Sequence, residues 1–411
     1  MYKGGNGLGL RSVTLGGAIN FVTPTGYTAE AEILVIIEGG SYGPACLQAP
    51  TARVYGETDI LAGMTGNYVE GFREQEQEQS FRFSGNIGHR FNEHAETRFY
   101  VISNTVDQEL PGTLTLAQAE NNPEMANPGN VALDQQRNVR SIRVANKTAL
   151  DLGDGALLEF GGYAGYKRLY HPIFRVLDYR GPLAGLFTRY TSEGTLGGHR
   201  NILTLGGDFS WSEVDAKQYA NVSGSRGALA ASGTQTATNL KLYAENQFYV
   251  VDDVALVAGL QGITSHRKFE NDFAPAQNDS TDFTSVSPKA GALWDFAENA
   301  QAYANVTRSY EPPTFSELVQ ATVFQFVPLD PQRAVTFETV FHAQGDELLL
   351  GRRDEVNDGR KITTWRTGFR IGTNVAEDAL VGRPVGIQFV FTEAGAPLGE
   401  GGDVAARCGV E

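Results

Sequence analysis

The sequence has 411 residues and a formal net charge of −15, from 33 basic and 48 acidic side chains. That acidic balance argues against a nucleic-acid partner, because binding to a phosphate backbone depends on Lys and Arg. A hydrophobic content of 41% with 20% charged residues excludes a disordered chain. No apolar run approaches the ~20 residues of a membrane helix, and residues 33–37 are only as long as a strand.

The N-terminal segment is rich in glycine. Residues 4–9 are followed by Gly16 and Gly17, then by a short apolar run, residues 18–22, that ends before Pro24. Paired glycines allow sharp bends, and a proline ends a strand. We interpret residues 14–24 as a hinge between the end of a small domain and a β-domain; an ordinary glycine-rich turn is the alternative. A phosphate-binding loop is rejected because the GK[ST] ending is absent.

Period-two alternation is the main pattern in the rest of the chain. In residues 81–91, apolar side chains alternate with polar ones, as expected for a strand with one buried face. About a dozen strands are predicted before residue 340. The clearest cover residues 81–91, 203–211, 285–296 and 300–307, and noisier ones cover 28–38, 61–71, 95–107, 138–151, 156–170, 236–250 and 254–266.

The connections between these strands are of two kinds. Short polar turns are predicted at residues 151–155, 251–253 and 297–299. Long loops are predicted at residues 108–135, 171–198, 217–235, 267–281 and 311–333. Short turns at one end and long loops at the other are typical of outer-membrane barrels. The pattern therefore favours a transmembrane barrel over a β-sandwich, which the sequence leaves open.

No catalytic motif is found. The six histidines lack H-E-x-x-H or H-x-H spacing, and no G-x-S-x-G elbow is present, so we expect no enzyme and no metal site. The acidic run at residues 70–78 is expected to be a solvated extension, with metal capture as the lesser alternative. Cys46 is placed in a loop, and no metal-type spacing links it to Cys408.

Three segments resemble the TonB-dependent outer-membrane receptors, most closely the ferric-siderophore and ferric-citrate type. Residues 2–8 and 15–22 resemble the end of the plug domain, where a GGxIN-type strand closes the plug. Residues 303–313 are similar to the barrel signature Y-x-N-x-x-R-x-[FY]-x-x-P. Residues 329–332 with Glu338 are similar to the L-x-P-E…E pattern, although Gln332 replaces the usual Glu.

The resemblance implies an all-β fold: an antiparallel transmembrane β-barrel, here part of a type with about 22 strands. It divides the chain into the C-terminal end of a plug domain (1–25), barrel strands and outer loops (26–340), and an atypical continuation (341–411). The signal peptide, the TonB box and most of the plug would precede residue 1, and about half of the barrel would be missing. We therefore expect a fragment of the whole receptor.

The implied function is uptake of a ferric chelate, a siderophore or ferric citrate, across the outer membrane of a Gram-negative bacterium. The expected partners are the TonB–ExbB–ExbD complex, the lipid bilayer and the ferric siderophore, with no nucleic acid and a monomeric receptor. No covalently bound cofactor is expected, because the ferric chelate is the transported substrate. A porin-like or adhesin-like barrel and a soluble β-rich binding protein are the alternatives.

Ligand contacts are predicted in the outer loops and at the rim, where Tyr and Arg can meet an anionic or aromatic ligand, although these residues also populate barrel rims for packing. The predicted contacts are His171, Phe174, Arg175, Tyr179 and Arg180 in one loop, and Arg308, Tyr310 and Phe315 in another. The plug–barrel junction is predicted at Gly16, Gly17, Asn20 and Phe21.

Overall fold

One antiparallel sheet of sixteen strands makes up most of the structure. The computed structural model describes residues 2–3, 17–18, 22–297, 300–319, 322–343, 349–357 and 360–368. β1 (Tyr2–Lys3) and β2 (Gly17–Ala18) form a separate two-stranded sheet. The first strands of the large sheet are β3 (Ile36–Gly39), β4 (Ala45–Tyr55), β5 (Thr58–Val69), β6 (Glu78–Asn92), β7 (Ala95–Gln108), β8 (Asn138–Gly153) and β9 (Ala156–Pro172). The others are β10 (Arg175–Leu196), β11 (His199–Val222), β12 (Ser225–Val251), β13 (Val254–Asn271), β14 (Asp279–Ala297), β15 (Ala300–Glu311), β16 (Gln332–Ala343), β17 (Leu349–Asn357) and β18 (Arg360–Gly368).

Helices are confined to the connections. They are α1 (Leu116–Asn121), α2 (Pro128–Ala132), a 3₁₀ turn (Pro275–Gln277) and α3 (Phe315–Leu318). Among the residues that the structure describes, no helix is long and apolar enough to cross a membrane.

The strands form a meander in which each pairs with its neighbours in sequence. The order runs from β18 to β3 without a crossover, and every pairing is antiparallel. Within the described ranges β3 and β18 do not pair with each other, so the sheet has two open edges; we call this sheet the wall. The predicted all-β, antiparallel barrel fold is confirmed, while fourteen strands lie between residues 36 and 343, more than the dozen predicted.

The two faces of the wall differ in burial and composition. In β13, Ile263, Ser265 and Phe269 are buried, whereas Leu256 and Leu260 on the opposite face are about half exposed. β14 shows the same alternation along most of its length. We call the buried face inner, because the loop after β15 packs on it, and the apolar exposed face outer. An exposed apolar band on the outer face is what a lipid-facing barrel wall requires.

The asymmetry of the connections is confirmed, but two of the five predicted loops are wrong. Residues 171–198 and 217–235 are mostly strand, in β9 to β12, and their hairpins turn at residues 173–174 and 223–224. The loops around residues 109–137 and 272–278 are present, as are the described parts of the third loop, residues 312–319 and 322–331. β10 is therefore missing altogether from the predicted strands, and β11 and β12 extend beyond their predicted counterparts on the loop side.

Smaller predictions also change. Cys46 is buried in β4, a strand that the sequence pattern missed, and does not lie in a loop. Residues 349–357 and 360–368, within the segment predicted to be atypical, form β17 and β18. The strand considered at residues 387–392, and Cys408, lie outside the described residues.

A buried ion pair fixes the chain where it enters the wall. Asp59 is fully buried on the inner face and accepts hydrogen bonds from Nη1 and Nη2 of Arg98 at 2.8 and 2.6 Å. Asp59 also accepts the backbone N–H of Gly26 at 2.7 Å, and Asn86 donates to the Pro24 carbonyl at 3.0 Å. A charge-assisted bidentate pair of this kind holds its partners in one geometry. Residues 24–26 are thus attached to β5 and β6 at the short-turn end, and Arg98 of β7 holds Asp59 in place.

Gly26→Ala tests this attachment. A Cβ at residue 26 would lie 2.6 Å from the Arg53 carbonyl oxygen and 2.8 Å from Cβ of Asp59. We expect the substitution to lower the free energy of unfolding in urea by about 1–3 kcal/mol, through overpacking. Gly66→Ala is the matched control, because nothing lies within 4 Å of its Cβ. Equal unfolding midpoints for the two variants would contradict the attachment.

Candidate ligand-binding site

The loop between β15 and β16 folds onto the inner face near the loop-side end of the wall. Arg267 of β13 is buried, and its Nε donates to the Pro313 carbonyl at 3.2 Å. Thr314 caps α3 in a reciprocal capping box with Glu317. The Val327 N–H donates to the Leu318 carbonyl at 2.7 Å, which folds the loop back on itself. The loop is therefore held at its start and across its middle.

Aromatic side chains attach the same loop to the wall. The Phe324 ring packs edge-on against Phe269, with ring centroids 5.4 Å apart, and both side chains are buried. Phe324 adopts φ +54°, a conformation that a bulky residue rarely takes and that the surroundings must stabilise. Its cluster contains Ala216, Ala231, Phe269, Leu318, Val319, Phe324 and Phe326, with Tyr179, Val214 and Phe315 packed against it.

Two hydrogen-bond donors stand beside this cluster on β10. Arg175 donates from Nη1 to Oε1 of Gln218 at 2.9 Å, and Nε2 of Gln218 donates to the Tyr179 hydroxyl at 2.9 Å. Because the hydroxyl accepts that bond, its own proton can be donated elsewhere. Gln218 is fully buried and fixes both partners. The arrangement presents a guanidinium and a phenol O–H next to aromatic rings, which suits a ligand rich in oxygen acceptors.

His171 lies above this pair, near the tip of the β9–β10 hairpin. Its Nδ1 donates to the Gln136 carbonyl at 2.6 Å. Burial lowers the pKa of His171 below its usual value, and the charge of Arg137 acts in the same direction, although the hydrogen bond to Gln136 opposes the shift. His171 is therefore neutral at pH 7, and its hydrogen bond ties the 109–137 loop to β9. Phe174, at the hairpin tip, is 48% exposed.

The other predicted contacts are dispersed. Arg180 lies on the outer face, opposite in direction to Tyr179, with Nε and Nη2 each 3.3 Å from Oδ2 of Asp215. Arg308 is exposed on β15 between the buried Thr307 and Ser309. Tyr310 is buried against Ile263 and Phe283, and Phe315 packs against the Phe269 cluster. The structure thus brings Arg175, Tyr179 and Phe315 to one part of the inner face and leaves Arg180 and Arg308 outside it.

The predicted plug–barrel junction is described only in part. Gly17 pairs with Lys3 in the two-stranded sheet of β1 and β2. Gly16, Asn20 and Phe21 lie outside the described residues. The domain boundaries 1–25, 26–340 and 341–411 therefore stay a prediction.

The acidic run at residues 70–78 is a folded connection, not a solvated extension. Glu76 accepts the Arg73 N–H at 2.7 Å, and Glu74 accepts the Ala126 N–H at 3.3 Å. The run therefore supports the long loop between β7 and β8. Within the described ranges, no group of three or more His, Cys, Asp or Glu side chains is arranged to hold a metal ion.

Sequence reasoning missed Gln218 and Phe324. Gln218 falls in the predicted loop at residues 217–235; beside it Asp215 and Lys217 point outward, whereas Val214 and Ala216 belong to the inner cluster. A sequence signal for a strand other than hydrophobic alternation would be needed to identify Gln218. Phe324 lies in a region correctly predicted as a loop, and nothing in the local pattern indicates that the loop folds inward.

The family assignment rests on residues 55–351. These residues match the family described as TonB dependent receptor-like, beta-barrel. The chain belongs to this family. Its members are receptors and not enzymes, and the barrel is thereby favoured over the sandwich. No curated protein matches the sequence.

Solved structures with the same fold include several iron receptors. The unliganded ferric citrate transporter FecA aligns with a TM-score of 0.67 at 11% identity, covering 78% of this chain and 50% of FecA. The closed form of the ferric-catecholate import receptor Fiu from E. coli K12 aligns with a TM-score of 0.67 at 14% identity, covering 89% of this chain and 64% of Fiu. The siderophore receptor PiuA from Acinetobacter baumannii aligns with a TM-score of 0.69 at 14% identity, covering 86% of this chain and 60% of PiuA. The chain therefore spans less than two thirds of the length of these receptors.

Phe324→Ala tests the attachment of the inward loop. Removal of a buried phenyl ring costs about 3–5 kcal/mol in a rigid core, so we expect the loop to detach and residues 312–331 to be cleaved at least tenfold faster by added protease. Val323→Ala is the control, because Val323 is 60% exposed. Equal cleavage rates in the two variants would show that the ring does not hold the loop.

Proposed function

We propose that the protein takes up a ferric chelate, a siderophore or ferric citrate, across the outer membrane of a Gram-negative bacterium. The observation that carries the proposal is the match of residues 55–351 to the TonB-dependent receptor barrel. The fold shared with a ferric citrate transporter and a ferric-catecholate receptor supports iron chelates as the cargo. The exposed apolar outer face supports placement in a bilayer.

The inner face near the loops is the proposed capture site. Ferric chelates present oxygen acceptors around the metal and often aromatic rings. Arg175 and the Tyr179 hydroxyl supply donors for the acceptors, and Phe315 supplies an apolar surface beside them. We place Phe174 and His171 at the outer edge of this site, with the latter in a supporting role. The metal travels within its chelate, so no covalently bound cofactor is proposed.

Energy for release would come from TonB, acting with ExbB and ExbD on a plug that fills the lumen. We assign residues 1–25 to the end of that plug. The attachment of Gly26 to Asp59 would then separate the part of the chain that moves from the part that stays with the wall. The receptor is proposed to act as a monomer, because each barrel encloses its own path.

Arg175→Gln tests the capture site in the receptor that carries this wall. Loss of a charge-assisted hydrogen bond costs about 1.5–3 kcal/mol, so we expect at least tenfold weaker binding of the transported chelate, measured by uptake of radioactive iron. Arg308→Gln is the matched control, because Arg308 is exposed on β15 and lies away from Tyr179. Both variants should fold and insert as the wild type does.

The same uptake assay tests the proposed function and the proposed capture site separately. Uptake that persists at the normal rate in cells without TonB would overturn the proposed function. Uptake that requires TonB but is unchanged by Arg175→Gln would retain the function and refute the capture site.

A further inference from the structure

A row of three arginines crosses the outer face of the wall. Arg140 of β8 is directly opposite Arg168 of β9, and Arg168 is directly opposite Arg180 of β10. Neighbouring strands are about 4.8 Å apart, so three guanidinium groups are carried side by side. Like charges directly opposite each other on a sheet destabilise it. Two such pairs in succession therefore need neighbouring anions to offset their repulsion.

The row lies at the loop-side edge of the exposed apolar band on the outer face. Moving two residues from Arg140 away from the loops reaches Ile142, and the same step leads from Arg168 to Tyr166 and from Arg180 to Pro182. Ile142 and Tyr166 are about half exposed, and Leu186 further along β10 is 65% exposed. In a bilayer, the first charged side chains beyond the apolar band lie at the height of the lipid headgroups.

The chain's own carboxylates neutralise the row only in part. Asp107 pairs with Arg140 at 2.7 Å. Asp178 is shared between Arg168, at 3.2 Å, and Arg226. Asp215 is shared between Arg180, at 3.3 Å, and Lys217, at 2.9 Å. With Glu213 included, this part of the outer face has five cations and four carboxylates, in a chain whose net charge is −15.

Free donors remain on the row. Arg168 bonds through Nε, and Arg180 through Nε and Nη2. Among the described residues, neither of the Nη groups of Arg168 nor Nη1 of Arg180 has a hydrogen-bond partner. The three side chains are 48%, 42% and 45% exposed. These donors can therefore reach an external anion.

We propose that Arg140, Arg168 and Arg180 bind the phosphate of a lipid headgroup in the outer leaflet. Guanidinium forks match phosphate oxygens in a bidentate geometry, and the apolar band directly below would contact the acyl chains of the same lipid. Arg226, stacked 5.2 Å from the Tyr170 ring and 5.4 Å from the Tyr219 ring, flanks the row on the loop side. The proposal rests on placement in a membrane and is independent of the cargo.

The test uses the whole receptor in phosphatidylcholine nanodiscs that contain phosphatidic acid as the minority lipid. Native mass spectrometry after extraction counts the phosphatidic acid that stays bound. We expect the triple Arg→Gln variant at 140, 168 and 180 to retain at least tenfold less than the wild type. Arg143→Gln, on the inner face of the same β8 strand, should retain the wild-type amount.

Further arms distinguish the source of the phosphate. Phosphatidylserine in place of phosphatidic acid should give weaker retention, and free inorganic phosphate should not displace the lipid. Displacement by free phosphate would overturn the lipid assignment in favour of a soluble anion, and equal retention by the triple variant would overturn the site. If the triple variant does not fold, Arg168→Gln alone should reduce retention and Arg168→Lys should restore part of it; unchanged retention in Arg168→Gln would refute the proposal.

Discussion

Every backbone N–H and C=O group inside a bilayer must be paired within the protein, because hydrocarbon offers no partner. The continuous antiparallel ladder from β3 to β18 meets this requirement without a crossover. Each strand pairs with the next in sequence, so short turns suffice at one end and the loops gather at the other. The ladder also fixes which side chains face lipid, since a shift of one residue would turn every apolar side chain of a strand inward.

The same constraint explains how much the sequence could predict. Where a strand crosses the bilayer, its outer face must be apolar, and residues 81–91 and 285–296 alternate clearly for that reason. Beyond the apolar band the outer face carries charged side chains, so the hydrophobic pattern weakens while the ladder continues. Arg180, Asp215 and Lys217 point outward there, and the strands that carry them resembled loops in the sequence.

For the predicted ligand contacts, the sequence could indicate residue types that bind a ligand, but not the face of the strand to which each side chain points. Tyr179 and Arg180 are adjacent, yet one lies on the inner face with Gln218 and the other on the outer face with Asp215. Only the assignment of both residues to one strand shows that their side chains point to opposite faces. The position of Phe315 beside Tyr179 depends on a loop that returns to the wall from far along the chain, and no local pattern encodes such a contact.

From the alternation in β13 we infer a wall with lipid on one side and the lumen on the other. Single nitroxide labels along residues 255–263, in a background without Cys46 and Cys408, test it directly in reconstituted bilayers. We expect high oxygen accessibility at the even positions, such as Leu256 and Leu260, and low oxygen accessibility at the odd positions, such as Ala255 and Ile263. Uniform accessibility along the strand, or access of a water-soluble relaxation agent at Leu256 and Leu260, would contradict it.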